Sequence, residues 1–265
     1  MKRSVSNSPR GSHTSQSAAR ESPRRPPLAA IGFATFRTRG RTLYLHHELV
    51  REAAHILAML AEAERAQPGV GNRRSGFRIE LNGETSLFVR RARRGGWLRL
   101  LNRDLYFGFH PRPLRELALA VEAGRRAIPV AEPLGALIEP LAPAIYRGAV
   151  LTRALAGMTL WEFLQTDDDA RVRAHVLELA RRAIDTMHRG GLFHADLNLH
   201  NLFVTPAGDS FAVVILDLDK ARLFPAAISA RQRGQNLQRL MRSAHRLDPA
   251  GALFSPAALA ILTGT

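Results

Sequence analysis

The feature that most constrains this chain is a change of hydrophobic period between residues 169 and 221. From about Asp169 to Arg189, Val172, Val176, Leu179, Ala183 and Met187 recur at helical spacing, while Arg171, Arg181 and Arg182 fall on other faces. Gly190-Gly191 stops the run. LFHADLNLHNLFV and FAVVILDLDKA follow, separated by the turn residues Pro206 to Asp209, and read as loop, strand, turn, strand and loop. His194-Ala195-Asp196 and Asn201 precede the first strand, and Asp217 follows the fully apolar second one. Any fold must accommodate this order.

Each polar residue in the order suits phosphoryl transfer, where a protein mainly positions reactants and neutralises charge. Asp196 can accept a hydrogen bond from an attacking hydroxyl and take its proton. Asn201 offers a neutral carbonyl oxygen to a divalent cation, and Asp217 offers a carboxylate. Two unit charges at 4 Å interact by about 4 kcal/mol at an effective dielectric of 20, so carboxylates beside a triphosphate imply a bound cation. Mg²⁺ prefers such hard oxygen ligands together with nucleotide phosphates. The H-x-D-x-x-x-x-N spacing, with a helix before it and an Asp-led loop after it, matches the kinase catalytic order. The alternative is an ordinary strand-loop-strand with solvated side chains. His194 reads as a hub bonding backbone rather than a proton carrier, since Asp196 fills the base role. His200 reads either as a group reaching substrate or as a partly buried histidine.

Residues 1 to about 30 are Ser, Pro and Arg with almost no large apolar side chain, which reads as a disordered basic tail. The tail lacks an apolar signal region, and no later run reaches the roughly 18 apolar residues of a spanning helix. A cytoplasmic-side protein is therefore expected. Thr42 to Leu45 reads as a short strand, and Leu49, Ala53, Ile56, Leu57 and Leu60 as a helical face; His46, His47 and His55 read as surface or boundary histidines. A glycine segment, Gly69 to Gly76, leads into FRIEL, Asn82-Gly83 and SLFVRR, the pattern of a hairpin with a type I′ turn. Residues 112 to 124 form a helix with Leu114, Leu117 and Val121 on one face and Gly124 as its C-cap. IPVAEPLGALIEP and Ala149 to Leu151 read as short strands or buried connections, and the chain beyond Pro225 as helical and basic.

A kinase needs a cation on the nucleotide phosphates, usually a strand lysine paired with a helix glutamate. Only Lys2 and Lys220 are lysines among the 38 basic residues, so arginine must serve. Arg90 alternates with Phe88 along its strand and Arg91 falls on the other face, which favours Arg90 if Phe88 points into the cleft-side core. Glu116 is its expected partner and Glu122 the fallback. Arginine in that position replaces a point charge by a planar fork. Gly69 and Gly71 loosely resemble a phosphate-covering loop, or form an ordinary one. Backbone atoms around Thr152 to Ala154, ahead of Gly157, are the expected contacts to adenine.

HADLNLHN, ILDLDKAR, FVRRARRGGWLRLLNRDLYF and NLQRLMRS together resemble the 3-deoxy-D-manno-octulosonic acid (Kdo) kinases, in the lipopolysaccharide kinase branch of the protein-kinase-like superfamily. The resemblance covers about residues 70 to 245. It implies an α+β, two-lobed, monomeric kinase fold, with a β-rich N-lobe over 31–151 and a mainly helical C-lobe over 152–265. It also implies ATP-dependent, Mg²⁺-assisted phosphorylation of a Kdo hydroxyl on a lipid A precursor, at the cytoplasmic face of a Gram-negative inner membrane. Carried over by position, Asp196 is the base and Asn201 and Asp217 are metal ligands. Asp219 stands where the superfamily usually has glycine, and reads either as a metal-side residue or as a cap of the following turn. The net charge of +15, gathered partly at Arg90, Arg91, Arg93, Arg94 and Arg99 around Trp97, favours an anionic glycolipid at a membrane surface over nucleic acid. Other acceptors (heptose, a protein or small-molecule hydroxyl) and a catalytically idle kinase-like domain binding nucleic acid or anionic membrane are the competing readings.

Overall fold

A computed structural model describes residues 32–38, 40–66, 76–81, 85–91, 106–108 and 111–264. The basic tail, the glycines at 69 and 71, the Asn82-Gly83 turn and the basic-aromatic stretch over 92–105 lie outside them.

The N-terminal part is one antiparallel sheet in the order β1-β2-β6-β7-β4-β3, with the short β5 also pairing with β7. Its strands are β1 (Phe33–Thr38), β2 (Arg41–His46), β3 (Gly76–Glu80), β4 (Ser86–Arg91), β5 (Tyr106–Phe107), β6 (Pro133–Ala142) and β7 (Ile145–Arg153). Strand alternation sorts the two faces. Leu43 and Leu45 of β2, Leu87 and Val89 of β4 and Leu151 of β7 are buried with Ile56 and Leu60 of α1 (Ala53–Ala66). On the opposite face, α2 (Arg112–Arg125) packs Leu117 against Phe33 and Ala136. Phe88 and Arg90 leave β4 on that second face.

Two parts of this sheet differ from the sequence expectation. The 133–153 stretch is one long hairpin rather than short strands. Pro133 and Pro140 punctuate the pattern because the β6–β7 register slips beside each of them. Gly135 is required there, since a Cβ would press on the Tyr44 carbonyl oxygen of β2. Strand β1 was not anticipated; Gly40, at φ +74°, turns it onto β2. Helix α2 also runs past Gly124 to Arg125, and the positive φ falls on Ala127 instead.

The C-terminal part is mainly helical. It comprises β8 (Met158–Thr159), α3 (Leu160–Thr166), α4 (Ala170–Arg189), β9 (Leu192–Phe193), β10 (Leu202–Ala207), β11 (Ser210–Ile215), β12 (Arg222–Leu223), α5 (Ala230–Leu247) and α6 (Pro256–Thr263). Helix α4 starts on Asp169, whose carboxylate accepts from Arg171 and Val172 N–H, and it ends at Gly190-Gly191 as expected. Gly191 takes φ +86° between the Phe224 and Ala226 carbonyls. Val176, Ala180, Ile184 and Met187 of α4 share a core with Leu202 and Val204 of β10, Val213 and Ile215 of β11, Leu240 of α5 and Leu262 of α6. This core sets the β10–β11 hairpin between two polar loops, 194–201 and 216–221.

Candidate active site

The His194 imidazole is the joint of the two loops. It is 1% exposed. Its Nε2 lies 2.9 Å from the Leu216 carbonyl, so that nitrogen carries the proton, and its Nδ1 accepts from the Asp196 N–H at 3.2 Å. Burial pushes its pKa down, against the opposing pull of the Leu216 carbonyl and of Asp217 and Asp196. The ring is thus neutral with both nitrogens committed, the hub expected from sequence. It couples the backbone of Asp196 to the residue just before Asp217.

Helix α5 holds this hub from below, which the sequence reading missed. The Asn236 side chain donates to the His194 carbonyl at 2.6 Å, and its Oδ1 accepts from the His194 N–H at 3.3 Å. The same oxygen lies 3.3 Å from His188 Nε2 at the end of α4. One helical turn pair later, Ser243 Oγ accepts from Leu199 N–H at 3.4 Å. A buried Asn and Ser seven residues apart around Leu240, on the apolar stripe of a basic helix, were the available signal. Asn236→Ala strands both backbone groups of His194, each costing about 1–3 kcal/mol. Denaturant unfolding should therefore show a loss of that order or more, with activity falling along with it; a change below measurement error would remove the clamp.

The Asp196 carboxylate is exposed, and its backbone carbonyl accepts from Asn198 Nδ2 and Asn201 Nδ2, each at 2.8 Å. Donating through Nδ2 fixes which end of the Asn201 amide is occupied and leaves Oδ1 as the atom that could ligate a metal. The Asn201 carbonyl accepts from Leu216 N–H at 2.9 Å, a second tie between the loops. Asp217 adopts φ +58°, a left-handed conformation rare for a residue with a Cβ. That turn aims its carboxylate across to the sheet.

There the structure brings Arg90 to it. The Arg90 guanidinium pairs with Glu116 of α2 and lies 3.3 Å from Asp217 Oδ1. Burial works against the Arg90 charge, but Glu116 foremost and then Asp217 hold its pKa above the usual arginine range. Glu116 is 8% exposed; burial raises its pKa, Arg90 pulls it down, and Asp217 adds to the rise. The fallback Glu122 instead bonds Arg126 at 2.9 Å. Asp219, half-buried, lies 3.6 Å from Arg112 at the start of α2, and its N–H donates to Asp217 Oδ1 at 3.4 Å. Both aspartates of the Asp-x-Asp loop thus meet an arginine of the N-terminal part. Phe88 shares the face of Arg90 but is 40% exposed rather than in a core; Gly76, opposite Arg90 in the ladder, leaves room for its ring.

A sequence profile described as "Lipopolysaccharide kinase (Kdo/WaaP) family" matches residues 64–255. The chain belongs to this family. A "3-deoxy-D-manno-octulosonic acid kinase" of Xylella fastidiosa (strain M12) is 35% identical over 184 residues, 68% of this chain and 70% of that protein. A protein of the same description from Xanthomonas axonopodis pv. citri (strain 306) is 31% identical over 216 residues, 78% of this chain and 81% of that one. The solved structure described as "WaaP in complex with acyl carrier protein" superposes with a TM-score of 0.52 over 84% of this chain and 89% of its own, at 19% identity, a likeness of fold. The kinase-like α+β fold expected from sequence is borne out, and membership makes the chain a phosphotransferase of the lipopolysaccharide kinase type.

Thr152 stands opposite Phe88 in the β4–β7 ladder, and the Ala154 N–H donates to the Ser86 carbonyl at 2.8 Å. The N–H of Ala154 is therefore already used within the protein. His200 is half-buried in the 194–201 loop, with its N–H on Asn198 Oδ1 at 3.0 Å. Gly69 and Gly71 fall outside the described residues.

Proposed function

We propose that the chain transfers the γ-phosphoryl group of ATP to a Kdo hydroxyl of an anionic lipid A precursor. The observation that carries this reading is the convergence of Arg90, Glu116 and Asp217, joined through Leu216 and His194 to Asp196. It supports the reading because a phosphate-binding cation, a metal-ligating carboxylate and a general base are the three parts that phosphoryl transfer requires, and Arg90, Asp217 and Asp196 share one hydrogen-bonded frame. Asp196 takes the proton of the attacking hydroxyl, and its backbone bonds fix where the carboxylate starts. Arg90, oriented by Glu116, binds the nucleotide phosphates with the bidentate geometry of its fork.

The donor chemistry of Asn201 and Asp217 suits Mg²⁺. Among the described residues no group of three or more His, Cys, Asp or Glu side chains is arranged so that it could hold a metal ion by itself. Two protein oxygens completed by phosphates and water are the usual manner of Mg²⁺, not of a metal held by an all-protein cage. Bound there, the ion would neutralise the phosphate charge. Phe88, exposed two residues from Arg90 on the same face, gives the adenine ring an apolar surface, and Thr152, opposite Phe88 in the ladder, borders it. Asp219 serves in this reading by fixing Arg112, and His200 lies on the acceptor side.

No helix among the described residues is long and apolar enough to cross a membrane. A glycolipid acceptor then requires peripheral access to the inner membrane, for which the positive charge is suited. The test is incubation of purified protein with γ-labelled ATP, Mg²⁺ and Kdo-bearing lipid A precursor. Label should appear in the glycolipid; its absence under conditions where ATP binds would overturn the acceptor assignment.

A further inference from the structure

The proposed mechanism leaves unused a group of arginines on the α5 side of the catalytic loop. Arg222 stands directly opposite Phe193 in the β9–β12 pair, so the two side chains leave the same face of that ribbon. From α5, the Arg239 guanidinium carbon lies 5.8 Å from the centre of the Phe193 ring, within cation–π range, and Arg239 Nη1 is steadied by the Gln235 carbonyl at 3.3 Å. Arg222 is exposed and Arg239 half-buried. Among the described residues neither meets a carboxylate, in contrast to Arg90, Arg112, Arg126 and Arg153, each of which does. Helix α5 itself carries no acidic residue. Arg239 over the Phe193 ring and Arg222 on the same face of the ribbon leave positive charge there that no carboxylate of the described residues offsets, and a bound oxyanion would offset it.

Their position suggests which oxyanion. Phe193 is three residues ahead of Asp196, so at most about 11 Å of chain separates the ring's residue from the base. An acceptor whose hydroxyl lies against the Asp196 carboxylate can place a second group of the same sugar head over Phe193. Exposed Lys220, two residues before Arg222, extends the positive edge.

We propose that Arg222, opposite Phe193 in the ladder, and Arg239, over the Phe193 ring, form an oxyanion subsite that holds a carboxylate or phosphate of the acceptor while its hydroxyl meets Asp196. This rests on the anionic-glycolipid reading above and adds the protein groups that recognise the anion. The subsite acts on acceptor binding, not on the nucleotide.

The test is acceptor kinetics of Arg222→Gln, Arg239→Gln and the double variant. A lost charge-assisted bond should raise the acceptor KM about tenfold or more in each. The ATP KM and kcat should stay within about threefold by the same argument, because no bond to the nucleotide is removed. Arg222→Lys should recover part of the loss, which a merely structural role would not require. Repeating the series with a carboxylate-reduced acceptor and with a dephosphorylated lipid A backbone identifies the anion: the substrate lacking the recognised group loses its sensitivity to the substitutions. An unchanged acceptor KM in the double variant overturns the subsite while leaving the kinase reading intact. If wild type transfers nothing to glycolipid, inorganic phosphate becomes the probe, titrated by ³¹P NMR with the nucleotide site filled by a non-hydrolysable ATP analogue. Saturable binding in wild type and none in the double variant supports the subsite; equal binding, or none in either, overturns it.

Discussion

Asp196→Asn should lower kcat for phosphoryl transfer by a factor of about 10² to 10⁴, the usual contribution of a positioned general base, with ATP affinity unchanged. The reason the effect should be confined to chemistry lies in which atoms of Asp196 are structural. Its N–H donates to His194 Nδ1, and its carbonyl accepts from Asn198 and Asn201. The carboxylate is exposed and takes part in none of these bonds. An amide in its place keeps the loop and loses the proton acceptor. Calorimetric titration of ATP into both proteins, beside steady-state transfer rates, separates the two quantities. Transfer by the variant at more than a tenth of the wild-type rate would move the base to another group.

That candidate role was readable because spacing and residue type carry it. An Asp, an Asn five residues on and an Asp after an apolar strand can be seen without knowing the path between them. The Arg90–Glu116 meeting was accessible in part: strand alternation separates Arg90 from Arg91 and the following helix carries Glu116 and Glu122, but the choice between these two glutamates comes from the packing of α2. Other parts were hidden for identifiable reasons. Asn236 and Ser243 act on a loop more than 40 residues away in sequence, through backbone atoms, and no local pattern announces such a clamp. The partner of Asp219, Arg112, likewise follows from the packing of α2 on the Asp-x-Asp loop. The 133–153 hairpin was fragmented by Pro133, Gly135 and Pro140, residues that usually end strands but here mark register slips. Phe88 departs in the opposite direction: the choice of Arg90 from sequence is tied to Phe88 pointing into a core, whereas Phe88 is 40% exposed.

The ion pair at the centre of the site makes the other large expected effect a matter of stability as well as binding. Arg90→Met leaves Glu116 buried without its partner, and breaking a buried pair from one side costs about 3–5 kcal/mol. Burial already lifts the Glu116 pKa with Arg90 in place, so removing the cation lifts it further. The sign of the pH dependence follows from linkage. A carboxyl whose folded pKa exceeds its unfolded value favours folding at pH below the unfolded value, and that contribution is lost as pH rises through the folded one. Denaturant unfolding of Arg90→Met should therefore show a smaller deficit near pH 5 than near pH 8. Adding Glu116→Gln removes the charge that suffers, so the double variant should regain most of the lost stability and lose the added pH slope. Its ATP affinity should remain depressed, because the arginine fork proposed to bind the phosphates is still absent. Recovery of ATP binding along with stability would make Arg90 a structural partner of Glu116 alone, and would pass the phosphate role to another cation.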